Sequence, residues 1–286
     1  MRRLGAIRIT LRASLLGLLF LTLANPTVFA SQGPPPSLSS PADLLALAGD
    51  GTAATVSAAL AEGADVEQRD EHGATPLMLA AAENPDPAVT LLLLRAGAKV
   101  DDRDAKGATP LMYAAAQNQN SLVTSALLAA HAGVEDTEDG GRTALMYAAW
   151  SNQSTDVVSV LLQAGAGIED RSANGVTPLM YAAGQNSSLP VLSALIRAGA
   201  RVEERNNSGL TPLMYAAGDN PDAGAVSLLL AAGAAIDDRD KDGATALMHA
   251  SGSNTAQVVS TLLSAVARFA SVLIVPPLAV LPSRSL

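Results

Sequence analysis

The sequence predicts an all-α solenoid of about seven helix–loop–helix units with projecting β-turns. Three observations carry this prediction. A glycine recurs every 34 residues, at Gly73, Gly107, Gly141, Gly175, Gly209 and Gly243. The segment TPLMYAA occurs three times and TALMYAA once, always in the same phase to that glycine. Each repeat also holds two short apolar stretches with helical spacing, and a fixed period of this length indicates one supersecondary unit stacked many times.

Residues 108–141 show how each unit is expected to fold. Thr109 is a suitable N-cap and Pro110 suits the first helical position, so LMYAAAQ is predicted to be the first helix. Asn118 follows, and there we expect the left-handed conformation that ends a helix. SLVTSALLAA is the second helix, and GVEDTEDGG forms the turn into the next unit.

The glycine phase sets the boundaries of the repeat domain, 41–269. A first, degenerate unit precedes five regular units and a truncated seventh; the seven cover residues 41–73, 74–107, 108–141, 142–175, 176–209, 210–243 and 244–269.

Residues 270–286 are apolar and lack the repeat pattern. A last repeat must cover its exposed apolar side, and Pro276-Pro277 prevents one helix from spanning the tail. We expect an irregular cap in which apolar side chains fold back, namely Phe269, Val272, Leu273 and Ile274. The alternatives are a tail that contacts a partner or a membrane, and a sequence shifted out of frame.

The repeated residues resemble the ankyrin repeat family. Its signature, Thr-Pro-Leu-His-x-Ala followed by a second helix and a Gly-Ala turn, is similar to TPLMYAA and VxxLLxAGA across about residues 41–265. The unit here is one residue longer, and His131 replaces one turn glycine. Methionine replaces the signature histidine, and stacking is expected to place these methionines in one interior row. The resemblance implies a concave surface lined by the first helices and a function in binding proteins.

Residues 1–30 have the order of a secretory signal peptide. Four arginines come first, then the apolar run ASLLGLLFLTLA, and Val28-x-Ala30 suits cleavage after Ala30. The apolar run is shorter than the ~20 residues of a membrane span, so no stable span is expected after cleavage; the alternative is an uncleaved anchor. Residues 31–40 form a disordered, Pro-rich linker in this interpretation. The protein is therefore expected to be periplasmic or secreted.

Charge and composition argue against several functions. The signal contains four of the 18 basic residues and none of the 27 acidic ones, which leaves 14 against 27 and a net charge of −13. Nucleic-acid binding needs a basic surface, so no nucleic acid is expected as a partner. Cysteine is absent, and the three histidines fall at different phases of the repeat, so no metal site is expected. No catalytic or cofactor-binding motif occurs, so no cofactor and no enzymatic activity are expected.

The projecting turns contain pairs of acidic residues, usually followed by an arginine. The pairs begin at Asp101, Glu135, Glu169, Glu203 and Asp237, and the arginines are Arg69, Arg103, Arg171, Arg205 and Arg239. This edge could attract a basic partner. Alternatively, the opposite charges pair with one another along a solvated rim.

The aromatic residues form the predicted partner-binding site. With about 100° per residue, Tyr113 projects opposite the buried alanines of its helix, toward the concave groove. The same geometry predicts an open row of anchors at Tyr113, Tyr147, Trp150, Tyr181 and Tyr215, with slots between the rings. The alternative is that the rings lie flat and fill gaps between the first helices.

These observations together predict an exported, non-enzymatic scaffold that binds a partner protein through its concave groove. The protein is expected to be a monomer. Two alternatives stay open at this point: an effector that is delivered to a host and acts on host proteins, and an enzyme whose site has no recognisable motif.

Overall fold

The computed structural model describes residues 43–274. The predicted signal peptide 1–30, its cleavage site, the linker 31–40 and residues 275–286 lie outside this range. Within it, the structure contains fourteen helices and no strands, in seven consecutive pairs. The predicted all-α solenoid of seven helix–loop–helix units is therefore confirmed.

The two helices of each pair have different lengths and positions. The first helices are α1 Leu44–Asp50, α3 Pro76–Glu83, α5 Pro110–Gln117, α7 Ala144–Ser151, α9 Pro178–Gly184, α11 Pro212–Asp219 and α13 Ala246–Ser253. The second helices are α2 Ala53–Ala61, α4 Pro87–Arg95, α6 Ser121–Ala129, α8 Thr155–Gln163, α10 Leu189–Arg197, α12 Ala223–Ala231 and α14 Ala256–Ile274.

The first helices pack against one another more closely than the second helices do. Their sequences explain this, because each first helix from α3 to α13 contains two or more buried alanines that let neighbouring backbones approach. A stack that is tighter on one side curves toward that side. The first helices therefore line the inner, concave surface and the second helices the outer one.

One apolar row fills the interface between successive units. Five of the six repeat methionines are fully or almost fully buried: Met78, Met112, Met146, Met180 and Met214. This confirms the predicted interior row. Met248 is 56% exposed because no further unit covers it, and Leu263 and Val266 of the same last unit are exposed as well.

The asparagine that ends each first helix does not have the left-handed backbone that the sequence suggested. Asn118 has φ −78° and ψ 120°, an extended conformation. Its side chain instead reaches the preceding unit, where Nδ2 donates to the carbonyls of Ala81 and Asn84 at 3.0 and 2.8 Å. Its Oδ1 accepts the N–H of Asn120 at 3.0 Å. Asparagine is needed here because only an amide supplies both donors and an acceptor to buried backbone groups.

The same amide bonds recur in every unit from the second to the seventh, at Asn84, Asn118, Asn152, Asn186, Asn220 and Asn254. The left-handed backbone occurs elsewhere, after the second helix, where Gly97 has φ 100°. His131 occupies the equivalent position with φ 67°, and it is the only residue other than glycine with positive φ among the described residues.

The charged turns pair with one another from unit to unit, as the second interpretation of the acidic rim predicted. The arginine of one turn bonds the second acid of the next turn, with Arg69–Asp102 at 2.6 Å, Arg103–Asp136 at 3.1 Å and Arg205–Asp238 at 2.7 Å. Arg171 and Glu204 form the same pair. Each of these arginines also donates Nη1 to a carbonyl of the neighbouring turn, as Arg103 does to Thr137 at 2.7 Å.

The row of arginines is interrupted once, because the position between Arg103 and Arg171 is Thr137. Asp170, the acid that this missing arginine would bond, lies beside Glu135. Burial first, and then the hydrogen bond and charge of Glu135, raise the pKa of Asp170 to about 6.

The C-terminal region differs from the sequence prediction. α14 continues to Ile274, so residues 270–274 extend the last helix rather than forming an irregular cap. No proline or glycine lies between Ala256 and Ile274, and the repeat's Gly-Ala turn is missing from this unit. Among residues 43–274, no helix combines the length and the apolar character that crossing a membrane requires.

Candidate partner-binding site

The predicted row of tyrosines is present on the first helices, but most of its rings are not open to the groove. Tyr113, Tyr147 and Tyr215 are 9%, 2% and 8% exposed, whereas Tyr181 is half-buried. The prediction of freely exposed rings is therefore wrong for the first three. The hydroxyls of Tyr113 and Tyr215 bond the bases of the projecting turns, and the Tyr215 ring also lies against Gly184 of the preceding first helix.

The hydroxyls of Tyr113 and Tyr215 bond the residue nine positions earlier, at the start of their own turn. Tyr113 donates to Asp104 Oδ2 at 2.9 Å, and Asn206 donates to the Tyr215 hydroxyl at 2.8 Å. His249 takes the place of tyrosine in the last unit and lies 2.8 Å from Asp240 Oδ2. These pairs tie the turn to the first helix, so this part of the aromatic row is structural.

The environment keeps these hydroxyls protonated. Burial, followed by the charge and hydrogen bond of Asp104, raises the pKa of Tyr113 far above its ordinary value. Burial also raises the pKa of Tyr215 to about 12, against the opposing hydrogen bond from Asn206. At neutral pH the tyrosines are therefore neutral hydrogen-bonding groups.

The middle unit departs from the repeat at three positions that lie close together. Arg142 stands where the other units have small or aliphatic residues, namely Ala74, Ala108, Val176, Leu210 and Ala244. Trp150 stands where they have Ala82, Ala116, Gly184, Gly218 and Gly252. Glu138 stands where they have Asp70, Asp104, Ser172, Asn206 and Asp240.

These three residues and two tyrosines form one cluster, which we call the central cluster: Glu138, Arg142, Tyr147, Trp150 and Tyr181. The guanidinium carbon of Arg142 lies 4.9 Å from the Tyr147 ring centroid and 5.2 Å from that of Trp150. The Trp150 ring lies 6.2 Å from Tyr147 and 6.0 Å from Tyr181, tilted by 31° and 30°. These distances fit cation–π and aromatic contacts.

A buried ion pair holds the cluster at its base. Arg142 Nε donates to Glu138 Oε1 at 3.0 Å, and the Arg142 backbone N–H donates to the same oxygen at 3.2 Å. Burial opposes ionisation of Glu138, but the bonds from Arg142 and Gly140 outweigh it and lower the pKa of this carboxyl. Both partners are thus charged at neutral pH, and the pair fixes the guanidinium between the rings.

Two buried hydroxyls of the same unit have no hydrogen-bond partner within the described chain, those of Thr143 and Tyr147. In the neighbouring units the equivalent tyrosines bond the turn residue, and the equivalent Thr109 caps its helix. Glu138 is engaged by Arg142 instead, so the Tyr147 hydroxyl is left over.

The structure therefore brings together three of the five predicted site residues, Tyr147, Trp150 and Tyr181, and leaves Tyr113 and Tyr215 outside the cluster. The expected open slot between Tyr147 and Tyr181 is filled by the Trp150 ring. Sequence reasoning missed Arg142 and Glu138. Their signal was available, because comparison of equivalent positions in the six units marks both as departures from the repeat.

Histidines and acidic residues do not assemble into a metal site in the described chain. No group of three or more His, Asp or Glu side chains among these residues has the spacing to hold a metal ion. The central cluster contains aromatic rings, a guanidinium and a buried hydroxyl.

Comparison with known proteins identifies the family. The family model for ankyrin repeats, which describes three copies, matches overlapping stretches at 81–172, 115–206, 151–237 and 179–271. These matches span more than half of the sequence, so the chain belongs to the ankyrin repeat family.

Solved structures show the same fold. The crystal structure of the human ASB11 ankyrin repeat domain is similar to this chain with a TM-score of 0.67 and 22% sequence identity. The similarity covers 78% of this chain and 97% of that domain. At this identity the likeness concerns the fold alone. No curated protein matches the sequence significantly.

Proposed function

We propose that this ankyrin repeat protein is an exported, non-enzymatic scaffold that binds a partner protein through the concave surface around Trp150. Ankyrin repeats are protein-interaction modules, and this coarser function follows from the family. The observation that supports the location is the coincidence of three departures from the repeat, Glu138, Arg142 and Trp150, in one cluster on the middle unit.

The cluster has the composition of an interface anchor. Tryptophan, tyrosine and arginine are the residues that most often dominate binding energy, and such anchors lie near the centre of an interface. Trp150 is half-buried, so part of its indole remains available for contact with a partner. The Tyr147 ring packs against the Trp150 ring. The ion pair under Arg142 fixes the rings before a partner arrives, which reduces the entropy lost on binding.

Capture of the partner tests the location. Trp150→Ala should abolish crosslinking to the partner from the compartment in which the protein resides, while the melting temperature changes little. Leu122→Ala is a matched control, since Leu122 is also apolar, 60% exposed and on a second helix of the outer surface. Loss of capture with Leu122→Ala but not with Trp150→Ala would place the interface on the outer surface.

The export part of the proposal rests on the order of charge, apolar run and small residues in 1–30. It predicts that the protein isolated from its host begins at Ser31, in the periplasm or the medium. N-terminal sequencing of fractionated cells checks this. A membrane-bound form that retains Met1 would contradict it.

A further inference from the structure

The guanidinium of Arg142 has N–H donors without a hydrogen-bond acceptor in the described chain. A guanidinium carries five N–H donors. The rings of Tyr147 and Trp150 lie against the group, and Nε is bonded to Glu138. The hydrogen bonds that the described chain provides to this side chain all use Nε, so the four donors on the two Nη atoms have no protein acceptor there. The Arg142 side chain is only 12% exposed, so little water replaces such an acceptor.

A second donor without an acceptor belongs to Tyr147, one of the two aromatic residues against the guanidinium. The Tyr147 hydroxyl is buried and has no partner within residues 43–274. Burial raises the pKa of Tyr147, so the hydroxyl keeps its proton at neutral pH. A buried polar group without a partner costs stability. A ligand atom that accepts from this hydroxyl would remove that cost in the complex.

The unused groups are donors, and this restricts the ligand. A cationic group would be repelled by Arg142, and an apolar group would leave the donors unsatisfied. A carboxylate accepts from guanidinium and hydroxyl together, in charge-assisted bonds about twice as strong as neutral ones. Glu138 does not fill this role, because its Oε1 is occupied by two donors of Arg142 at the base of the turn.

We infer that the central cluster binds the side-chain carboxylate of an aspartate or glutamate in the partner protein. Arg142 Nη atoms and the Tyr147 hydroxyl donate to this carboxylate, and Trp150 and Tyr181 contact the apolar groups beside it. This inference rests on the proposed function, since it names what the same concave site recognises.

The shape of the surface favours a side chain over a chain terminus. Small residues continue the inner wall on both sides of Trp150, with Ala116 before it and Gly184 and Gly218 after it. Gly184 itself is buried, because the Tyr215 ring lies against it and an added Cβ would lie 3.2 Å from Cδ1 of that ring. A partner segment can therefore continue past the cluster on the side of Ala116, which is part-exposed, and need not end there.

Trp150 is the only tryptophan of the chain, so its fluorescence reports binding at this position. The probes are three peptides: acetyl-Phe-Glu-Phe-amide, acetyl-Phe-Gln-Phe-amide, and acetyl-Phe-Gln-Phe with a free terminal carboxylate. The glutamate peptide should change the Trp150 emission at a concentration about tenfold lower than the glutamine amide does, because charge-assisted bonds replace neutral ones. The free-acid peptide should bind more weakly than the glutamate peptide.

Two variants assign the donors. Tyr147→Phe keeps the ring and removes the hydroxyl. It should weaken the glutamate peptide about threefold or more and the glutamine amide less, because the bond lost to an amide oxygen is a neutral one. Arg142→Gln should weaken it about tenfold. Tyr113→Phe is the control, because its hydroxyl is bonded to Asp104 outside the cluster, and it should leave peptide affinity unchanged. Circular dichroism checks that each variant is folded.

Several results would overturn the inference. Equal affinity for the glutamate and glutamine amides would exclude a carboxylate site, and tighter binding of the free acid would assign the site to a chain terminus. Failure of all three peptides to bind, while Trp150→Ala still abolishes partner capture, would overturn the inference and leave the proposed function intact. If no peptide binds and Trp150→Ala captures the partner normally, both the carboxylate site and the proposed interface at Trp150 are wrong.

Discussion

The regular units and the middle unit use the same positions for different purposes. In the regular units the turn residue bonds the tyrosine hydroxyl, as Asp104 does with Tyr113, and the inner wall is lined by alanine or glycine. In the middle unit Glu138 bonds Arg142 instead, so the Tyr147 hydroxyl has no partner in the described chain. Trp150 replaces the alanine or glycine of the inner wall. Repetition thus shows what the fold requires, and departures from it mark where a position has acquired another use.

The largest effect is expected from breaking a contact that every regular unit shares. Asn220→Ala removes an amide that donates to the carbonyls of Ala183 and Asn186 at 2.9 and 3.2 Å and leaves both buried. The free energy of unfolding should fall by about 3 kcal/mol, since unsatisfied buried groups cost about 1–3 kcal/mol each. Urea denaturation measures this. Asn174→Ala, at an exposed turn position, should change stability by less than about 0.5 kcal/mol; equal losses in the two variants would contradict this account of the asparagines.

A smaller effect is expected from repairing the interrupted row of arginines. Thr137→Arg places a guanidinium where Arg103 and Arg171 have theirs and gives Asp170 an opposite charge. Stability at pH 7 should rise by about 1 kcal/mol, a value reduced for solvent screening at this half-exposed site. Thr137→Lys is the control, because it supplies charge without the planar group that also bonds a carbonyl, and it should gain less.

The same variant has a defined pH dependence. The pKa of Asp170 is raised from 3.8 to about 6 in the folded protein. The folded state therefore binds more protons than the unfolded chain between these values, and its stability falls as the pH rises through that window. The gain from Thr137→Arg should be largest above pH 6 and should shrink toward pH 4, where Asp170 is protonated. A gain that is constant from pH 4 to 7 would show that Asp170 is not the group involved.

The smallest effect concerns a departure that lies away from the central cluster. His131 adopts φ 67° at a position where five other units have glycine. His131→Gly should raise the free energy of unfolding by about 0.5–1 kcal/mol, because a left-handed backbone strains a residue with a Cβ. The reciprocal Gly97→His should lower it by a similar amount. Thermal melts of the pair decide this, and a loss of stability in His131→Gly would mean that the imidazole contributes a contact.

The fold could be predicted from the sequence because the residues that each unit needs recur at the same positions of several units. Three features of the sequence each predicted one structural feature that the structure contains. They are the 34-residue period, the Thr-Pro start of the first helices and the row of methionines. The backbone conformation of Asn118 could not be predicted in this way, because asparagine suits two different roles. Its actual role depends on carbonyls of the preceding unit, which only the stacked structure brings within reach.

The candidate site was predictable only in part. The helical angle predicted that Tyr113 and Tyr215 face the open groove. It could not show that their rings are buried and that their hydroxyls bond the turns, because a single-helix argument leaves the neighbouring elements out. The contact of Trp150 with Tyr181 depends on the spacing between neighbouring first helices. Comparison of the residues at equivalent positions of the repeats marks Arg142 as a departure from the pattern, and this comparison needs only the sequence.

The central claim is that the departures in the middle unit serve recognition and not folding. The most direct test returns them to the repeat pattern with Glu138→Asp, Arg142→Ala and Trp150→Ala in one protein. Asp at position 138 can then bond the Tyr147 hydroxyl as Asp104 bonds that of Tyr113. Urea denaturation should give a free energy of unfolding within about 1 kcal/mol of the parent or above it, because functional sites are commonly kept at a cost in stability. A loss of about 3 kcal/mol or more, the size expected for a dismantled buried cluster, would show that Glu138, Arg142 and Trp150 are part of the architecture.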